Sequence, residues 1–233
     1  MENTSIQGNK LTLRRKAALF TAFASILMFF AAMGAEVGMR QNLILPNDAA
    51  ATFDRVRANE ALFWMGLLGY ATVLICDLIV SWGFWRFFQP VNKSISGIAG
   101  LVRIGYTVAF GVACYRLVQG GMAIFEGDAE ATGTRAMDFF NRYEVEWSAA
   151  LIAFGVHLLL IAVLSWRSNE VPKWLAAVIA VAGSGYILDN LAKLTMENYA
   201  VVKPVFLAIL ALSSIGGEVG MAVWMLMRGG KGK

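Results

Sequence analysis

The stretch from Trp147 to Arg167 constrains the fold of this chain more than any other part of it. It contains 21 residues, carries no charge before its last position and has a tryptophan near each end. About 20 apolar residues in a helix match the roughly 30 Å hydrocarbon thickness of a bilayer, and tryptophans are enriched at its two interfaces. The stretch therefore predicts a membrane-spanning helix, with His157, the chain's only histidine, near its centre.

The composition of the whole chain supports the same environment. Hydrophobic residues make up 58% of the sequence and charged residues 15%, whereas about a quarter of the residues of a soluble domain are charged. The net charge of +4 comes from basic residues at the ends of apolar segments, so no nucleic-acid surface is predicted. Cys76 and Cys114 lie within apolar segments, and we interpret both as small core residues rather than metal ligands.

The apolar segments predict an all-α membrane bundle of six transmembrane helices, forming one domain over residues 1–233. The predicted helices cover approximately 17–37, 60–88, 94–118, 147–167, 173–194 and 204–227. Two polar connections on the external side are long enough to contain short interfacial helices. We expect one helix capped by Asn47 and another around residues 138–143.

The distribution of basic residues predicts the orientation of the bundle. With the N-terminus in the cytoplasm, eleven lysines and arginines fall in short cytoplasmic segments, against eight in the longer external ones. Short cytoplasmic segments are enriched in these residues in membrane proteins generally. We therefore predict both termini in the cytoplasm, which an even number of crossings allows.

Ionisable residues occur inside four of the predicted helices at similar depth, namely Asp77, Arg103, His157 and Glu218. A charge at the bilayer centre costs about 2.5–3.5 kcal/mol on insertion scales, so these side chains are expected to face one another. The guanidinium of Arg103 has a planar fork of donors that suits two carboxylates. We therefore predict a buried polar layer in which Arg103 contacts Asp77, Glu218 or both, with His157 as neighbour or proton partner.

Other polar residues accompany this layer. Those expected to flank it are Tyr70, Ser81, Tyr106, Thr107 and Ser214. Near the outer helix ends, two acid–base pairs have members four residues apart, which places each pair on one helix face. These pairs are Glu36 with Arg40 and Asp189 with Lys193. They are either solvated interfacial ion pairs or part of an outer vestibule lined by Glu36, Arg40, Tyr186, Asp189, Asn190 and Lys193.

The pattern G-x-E-V-G-M occurs twice, at 34–39 and at 216–221. The two copies lie in the first and sixth predicted helices, which run in opposite directions. An inverted repeat of three helices plus three would pair the first helix with the fourth. We therefore treat the repetition as a coincidence.

Several short segments are similar to a known family. They are L-P-N-D-A-A-A-T at 45–52, P-V-N-K at 90–93, F-G-V-H-L-L-L at 154–160, V-P-K-W-L at 171–175 and G-Y-I-L-D at 185–189. Their order along the chain resembles domain of unknown function 4386, a bacterial family of six-helix membrane proteins. The resemblance implies that fold and a location in the bacterial cytoplasmic (inner) membrane. It implies no activity and no catalytic residues.

Three classes of function remain open. The first is small-solute or proton-linked transport through the polar layer, and the second is a non-catalytic subunit or scaffold that binds a partner protein or lipid. The third is an intramembrane enzyme acting on a lipid, although the sequence offers no nucleophile motif and no nucleotide-binding motif.

The sequence also limits the expected cofactors and partners. Neither a cofactor nor a metal is predicted, because one histidine cannot supply both ligands of a two-histidine haem and no His/Cys cluster exists. The expected partners are the lipid bilayer and a homodimer or larger membrane complex. Nucleic acid is not expected to bind.

Overall fold

A computed structural model of the protein describes residues 12–127 and 129–231, including their side chains except those of 129–131 and Ser214. All regular elements in this part of the chain are helices, so the all-α prediction is confirmed. Their ranges are α1 Leu13–Leu43, α2 Ala49–Ala58, α3 Glu60–Phe88, α4 Lys93–Glu126, α5 Ala129–Arg167, α6 Lys173–Thr195 and α7 Tyr199–Met227. All except α2 are long and apolar enough to cross a membrane, which makes the chain a multi-pass membrane protein.

Side-chain caps define where two of these helices begin. Asp48 Oδ1 accepts a hydrogen bond from the Ala51 amide at 2.9 Å at the start of α2, and Asn92 Oδ1 accepts one from the Ile95 amide at 2.9 Å before α4. Each cap satisfies a backbone N–H that has no partner within the helix. The cap of α2 is therefore Asp48 rather than the predicted Asn47. Asn47 instead has a φ of 65°, a left-handed conformation that asparagine tolerates.

The connection between α4 and α5 is helical almost throughout, which corrects the predicted end of the third span at 118 and the predicted start of the fourth at 147. Gly120 and Gly121, which follow the predicted end, are packing positions in the structure. A Cβ atom on Gly120 would lie 2.3 Å from a ring carbon of Phe140, and one on Gly121 would lie 2.3 Å from a ring carbon of Phe63. The glycines thus allow aromatic rings to approach α4 closely, and the helix continues to Glu126.

The expected interfacial helix at 138–143 is correspondingly a part of α5. A buried stripe with the spacing of a helix face runs through this segment into the membrane span. Its members include Ala136, Phe140, Tyr143, Ala150, Phe154 and His157. Asp138 and Arg142 lie on the exposed side of the same helix. The acidic composition of the segment therefore reflects a solvated helix face and not a loop.

The first helix begins at Leu13 instead of the predicted Ala17, because a basic residue in its first turn has buried partners. The Arg15 guanidinium donates to the carbonyl oxygens of Met225 and Gly229 at 2.8 Å and of Leu226 at 2.7 Å. Carbonyls at a helix C-terminus lack partners within the helix, and a cation there also interacts favourably with the helix dipole. Arg15 consequently fastens the end of α7 to the start of α1.

The last helix also begins earlier than predicted, at Tyr199 instead of Pro204. The Tyr199 hydroxyl donates to Asp189 Oδ1 at 2.7 Å, which anchors the first turn of α7 to α6. Pro204 therefore lies inside the helix. Both α1 and α7 contain a π-helical segment, at Gly34–Arg40 and Ile215–Val219 respectively.

The length of α5 generates a topology prediction. Thr134 lies near the start of α5 and Asn169 lies just beyond its end, and both are exposed. Because a helix rises about 1.5 Å per residue, the distance between these two positions exceeds the thickness of the bilayer. Single cysteines at these positions, with Cys76 and Cys114 replaced by alanine, should react with a membrane-impermeant thiol reagent from opposite sides. Labelling of both positions in sealed vesicles before permeabilisation would contradict the six-span arrangement.

Candidate functional site: a buried ionisable layer and an outer ionic network

Asp77, Arg103 and His157 come together between α3, α4 and α5, and we call them the inner triad. Their exposed fractions are 1%, 2% and 0%. The guanidinium lies between the other two side chains. Its Nη2 donates to Asp77 Oδ1, and its Nη1 lies 3.1 Å from His157 Nε2. One arginine thus links a carboxylate on α3 to an imidazole on α5.

The hydrogen bonds of His157 determine its protonation. Its Nδ1 lies 2.9 Å from the carbonyl oxygen of Ala99, and a carbonyl oxygen can only accept. Nδ1 must therefore carry a hydrogen. Arg103 can only donate, so Nε2 must be the unprotonated acceptor. His157 is thus neutral in this arrangement and holds the guanidinium, whereas Asp77 supplies the compensating negative charge.

Apolar groups complete the surroundings of Arg103. The centre of its guanidinium lies 5.3 Å from the centroid of the Phe154 ring, a favourable cation–π distance, and Nη2 lies 3.8 Å from Met28 Sδ. Glu218 was an alternative predicted partner, but it accepts a hydrogen bond from the Tyr186 hydroxyl at 3.3 Å. Arg103 therefore contacts Asp77 and His157, whereas the carboxylate of Glu218 contacts Tyr186.

Two polar atoms of the inner triad have no hydrogen-bond partner among the protein groups that the structure describes. They are Asp77 Oδ2 and Arg103 Nε, both fully buried. Buried polar groups of native proteins are normally satisfied, and an unsatisfied one costs about 1–3 kcal/mol, or more when charged. The ion pair therefore retains one acceptor and one donor that its protein partners do not use.

The predicted flanking residues have different roles in the structure. Ser81 Oγ donates to the carbonyl of Gly100 and Thr107 Oγ1 to that of Arg103, each at 2.9 Å. These two hydroxyls bind backbone carbonyls of α4 beside the triad. Among the described residues, neither forms a hydrogen bond with Asp77. The side chain of Ser214 lies outside the described part of the chain.

A second group of charges, the outer network, begins with the predicted Glu36–Arg40 pair at the end of α1. Arg40 donates to both carboxylate oxygens of Glu36, with its Nε 2.7 Å from Oε2. The Tyr70 hydroxyl donates to the same Oε2 at 2.8 Å, and the Tyr143 hydroxyl donates to that of Tyr70 at 3.3 Å. The pair on α1 is thus connected to α3 and α5.

Glu144 extends the outer network to α6. One of its oxygens accepts from Arg40 Nη1, and the other from Lys193 Nζ at 2.7 Å. The i,i+4 spacing predicted a pair between Lys193 and Asp189. In the structure, Lys193 pairs with Glu144 instead. The reason is that α5 presents Glu144 to Lys193, while the returning chain places the Tyr199 hydroxyl 2.7 Å from Asp189.

The six residues of the expected vestibule consequently do not share one environment. Glu36, Arg40 and Lys193 belong to the outer network, and Asp189 to the connection between α6 and α7. Asn190 is buried and donates to the carbonyl of Tyr186 within its own helix at 2.8 Å, whereas the Tyr186 hydroxyl donates to Glu218 on α7.

Tyr143 and Glu144 are functional candidates that the sequence interpretation missed. Tyr143 was the last residue of the expected interfacial helix at 138–143, and Glu144 followed it in the polar connection before the predicted start of the fourth span. The signal was present nevertheless, because Tyr143 continues the apolar spacing of Trp147, Ala150 and Phe154 one turn upstream.

A chain of aromatic rings lies between the outer network and the inner triad. Adjacent ring centroids are 5.6 Å apart for Tyr70 and Phe110, 5.9 Å for Phe110 and Tyr106, 4.9 Å for Tyr106 and Phe154, and 5.1 Å for Phe154 and Tyr186. These distances are typical of favourable aromatic pairs. The chain of rings thus runs from Tyr70, in the outer network, to Phe154, which lies against Arg103, and on to Tyr186.

Within residues 12–127 and 129–231, no group of three or more His, Cys, Asp or Glu residues is arranged to hold a metal ion. Cys76 and Cys114 are both buried thiols.

Comparison with known proteins identifies the family. The family model for the domain of unknown function DUF4386 matches residues 21–229. The chain belongs to the DUF4386 family. This confirms the resemblance seen in the short sequence segments, and the match covers all six spanning helices of this DUF4386 protein. A relative from Archaeoglobus fulgidus is 30% identical over 165 residues, which cover 71% of this chain and 84% of that protein. It is described as an uncharacterized protein. No solved structure matches the chain.

The inner triad generates a stability prediction. Arg103→Leu should destabilise the bundle by about 3–5 kcal/mol, because it leaves the Asp77 carboxylate buried without its cation. The double change Asp77→Leu with Arg103→Leu should be milder, since it removes both charges. Thermal unfolding in detergent measures the difference. The matched control is Arg116→Leu, which breaks the partly exposed pair with Glu146 and should cost about 1 kcal/mol or less. An equal loss of stability in the single and the double variant would contradict an ion pair between Asp77 and Arg103.

A second prediction concerns the state of His157. Because it is the chain's only histidine, labelling histidine with ¹⁵N gives signals from this ring alone. At neutral pH the spectrum should show a neutral imidazole with its hydrogen on Nδ1. An imidazolium, or a neutral ring protonated on Nε2, would mean that Arg103 does not donate to His157.

Proposed function

We propose that the protein is a proton-linked transporter of the cytoplasmic membrane, with both termini in the cytoplasm and Asp77 as the residue that exchanges the proton. The observation that carries this proposal is the ion pair at the centre of the bundle, in which Asp77 Oδ2 and Arg103 Nε have no protein partner among the described residues. Ionisable groups at such depth often mark ion or proton pathways in membrane proteins.

The contacts around Arg103 favour a change of partners on protonation of Asp77 over a purely structural role of the ion pair. Protonation of Asp77 removes the negative charge that holds the guanidinium on the side of α3. His157 still accepts from Arg103 and Phe154 still faces the cation, so Arg103 keeps partners on α5 when it leaves Asp77. A proton on one carboxyl group would thereby change how α3 packs against α4 and α5.

The ring chain from Tyr70 to Tyr186 gives this arrangement a closed state. In the proposal, the contacts between Tyr70, Phe110, Tyr106 and Phe154 close the path between the outer network and the inner triad, so that a charged or hydrated species passes only when side chains move. A transporter requires such an occluded state between its two open states. Six spanning helices also leave room for a homodimer, in which two bundles work side by side.

The orientation is proposed from the basic residues at one end of the bundle. Arg14, Arg15 and Lys173 lie at this end, and Arg14 donates to Glu170 at 2.5 Å. Positive charges in short segments favour the cytoplasmic side.

A second candidate function is a non-catalytic subunit that binds another membrane protein or a lipid. The observation that favours it is the exposure of α7, the least buried of the six spanning helices. Its outward face includes Val201, Val205 and Leu212, each more than half exposed. A partner helix or a second copy of the chain could cover this face.

Purified protein reconstituted into vesicles with a trapped pH-indicator dye tests the first candidate. Wild-type vesicles should acidify under an imposed proton gradient faster than empty ones, and Asp77→Asn should reduce the rate to that of empty vesicles. The physical reason is that an amide keeps the shape of the carboxyl group but cannot exchange a proton.

The matched control is Asp54→Asn, an equivalent change at an exposed position of α2, which should retain the wild-type rate. Rates are normalised to the amount of folded protein in the vesicles. Acidification of wild-type vesicles no faster than that of empty vesicles, or an unchanged rate in Asp77→Asn, would favour the subunit function.

A further inference from the structure

The two copies of G-x-E-V-G-M have the same unusual local structure. The first copy forms most of the π-helical segment Gly34–Arg40, and the second contributes Gly216–Val219 to the π-helical segment Ile215–Val219. These are the π-helices of the described residues, and such segments are rare and frequently occur at functional sites. Because both copies of the pattern adopt this conformation, we no longer interpret the repetition as a coincidence, as the sequence alone suggested.

The glutamate of each copy also has the same kind of partner. Glu36 accepts a hydrogen bond from the Tyr70 hydroxyl of α3, and Glu218 accepts one from the Tyr186 hydroxyl of α6. In each case the tyrosine belongs to the neighbouring spanning helix in the chain, α3 after α1 and α6 before α7. Two carboxylates on π-helices are thus each held by a neighbouring phenol.

The aromatic chain connects these two pairs directly. Tyr70 and Tyr186 are its two end members, and Phe110, Tyr106 and Phe154 lie between them. The two glutamates occupy different positions along their helices. Glu36 lies near the outer end of α1, whereas Glu218 lies closer to the middle of α7. The pairs therefore mark two depths along one line of contacts.

We infer that Glu36 and Glu218 are two stations for the transported proton, each formed by a carboxylate and a tyrosine hydroxyl, with the three rings between them as the closed gate. This inference rests on the proposed function and adds the residues at each end of the path. Each station takes up a proton on a carboxylate oxygen and releases it from the same oxygen. No other bond is made or broken.

The groups facing each glutamate are compatible with this exchange. Arg40, Tyr70 and Gln41 donate hydrogen bonds to Glu36, and Tyr143, Glu144 and Lys193 complete the outer network around these donors. When Glu36 gains a proton, Arg40 keeps an anionic partner, because Glu144 also accepts from it. The outer station can therefore change charge without leaving Arg40 alone.

Around Glu218, the described groups include Tyr186 from α6, which donates to it, and Tyr106 from α4. Tyr106 also lies close enough to interact electrostatically with Asp77 and Arg103. The inner station is therefore adjacent to the triad, so that a proton at Glu218 and the charge on Asp77 influence each other.

The test uses the full-length protein in vesicles with the trapped pH-indicator dye, comparing Glu36→Gln and Glu218→Gln with wild type. Both changes should reduce acidification to the rate of empty vesicles. The matched control is Glu60→Gln, an isosteric change at an exposed glutamate at the start of α3, which should retain the wild-type rate. Tyr70→Phe and Tyr186→Phe remove only the hydroxyl donors, and each should slow acidification in a protein that keeps its helical packing.

The outcomes separate this inference from the proposed function. If Asp77→Asn blocks acidification while Glu36→Gln or Glu218→Gln acidifies at the wild-type rate, the stations are overturned and the transport function stands. If wild-type vesicles acidify no faster than empty ones, both are overturned. If Glu36→Gln or Glu218→Gln is unstable in detergent, Tyr70→Phe or Tyr186→Phe respectively is used in its place. Acidification at the wild-type rate in that variant contradicts the corresponding station.

Discussion

The positive charge of Arg103 is the constraint on which the rest of the bundle depends. An unpaired guanidinium at this depth is expensive, so the surrounding helices must supply an anion and further acceptors. They do so from two helices, with Asp77 on α3 and with His157 and the Phe154 ring on α5. The rotation of these helices about their axes is thereby fixed, because turning any one of them would separate the charge from a partner.

The same interaction explains why the bundle is suited to a change of state. A buried ion pair is weak evidence for stability, since desolvation offsets much of its attraction. Its two charges are, however, sensitive to a single proton. Neutral His157 accepts from Arg103 regardless of the charge on Asp77, so the guanidinium keeps this partner when Asp77 is protonated. In the proposed function, the inner triad and the two glutamate–tyrosine pairs together form a line of proton-exchanging groups.

The sequence predicted the six spans and the contact of Arg103 with Asp77 because both follow from composition and residue spacing. It could not predict the partner of Glu218, since that residue lies in a π-helix, where counting 100° per residue no longer gives the correct face. Tyr143 and Glu144 were missed because charges on one face of α5 concealed the buried stripe on the other. Partner choice within the outer network depends on how α5 and α6 pack, and spacing within one helix carries no information about this.

Infrared spectroscopy of the protein in lipid at neutral pH tests the central claim, that Asp77 is ionised and paired with Arg103, most directly. The difference spectrum between wild type and Asp77→Asn isolates the contribution of this one side chain. The structure predicts the loss of a carboxylate absorption, because Arg103 requires an anion. Loss of a protonated carboxyl absorption would contradict the account, since Arg103 would then have no negative partner in the inner triad.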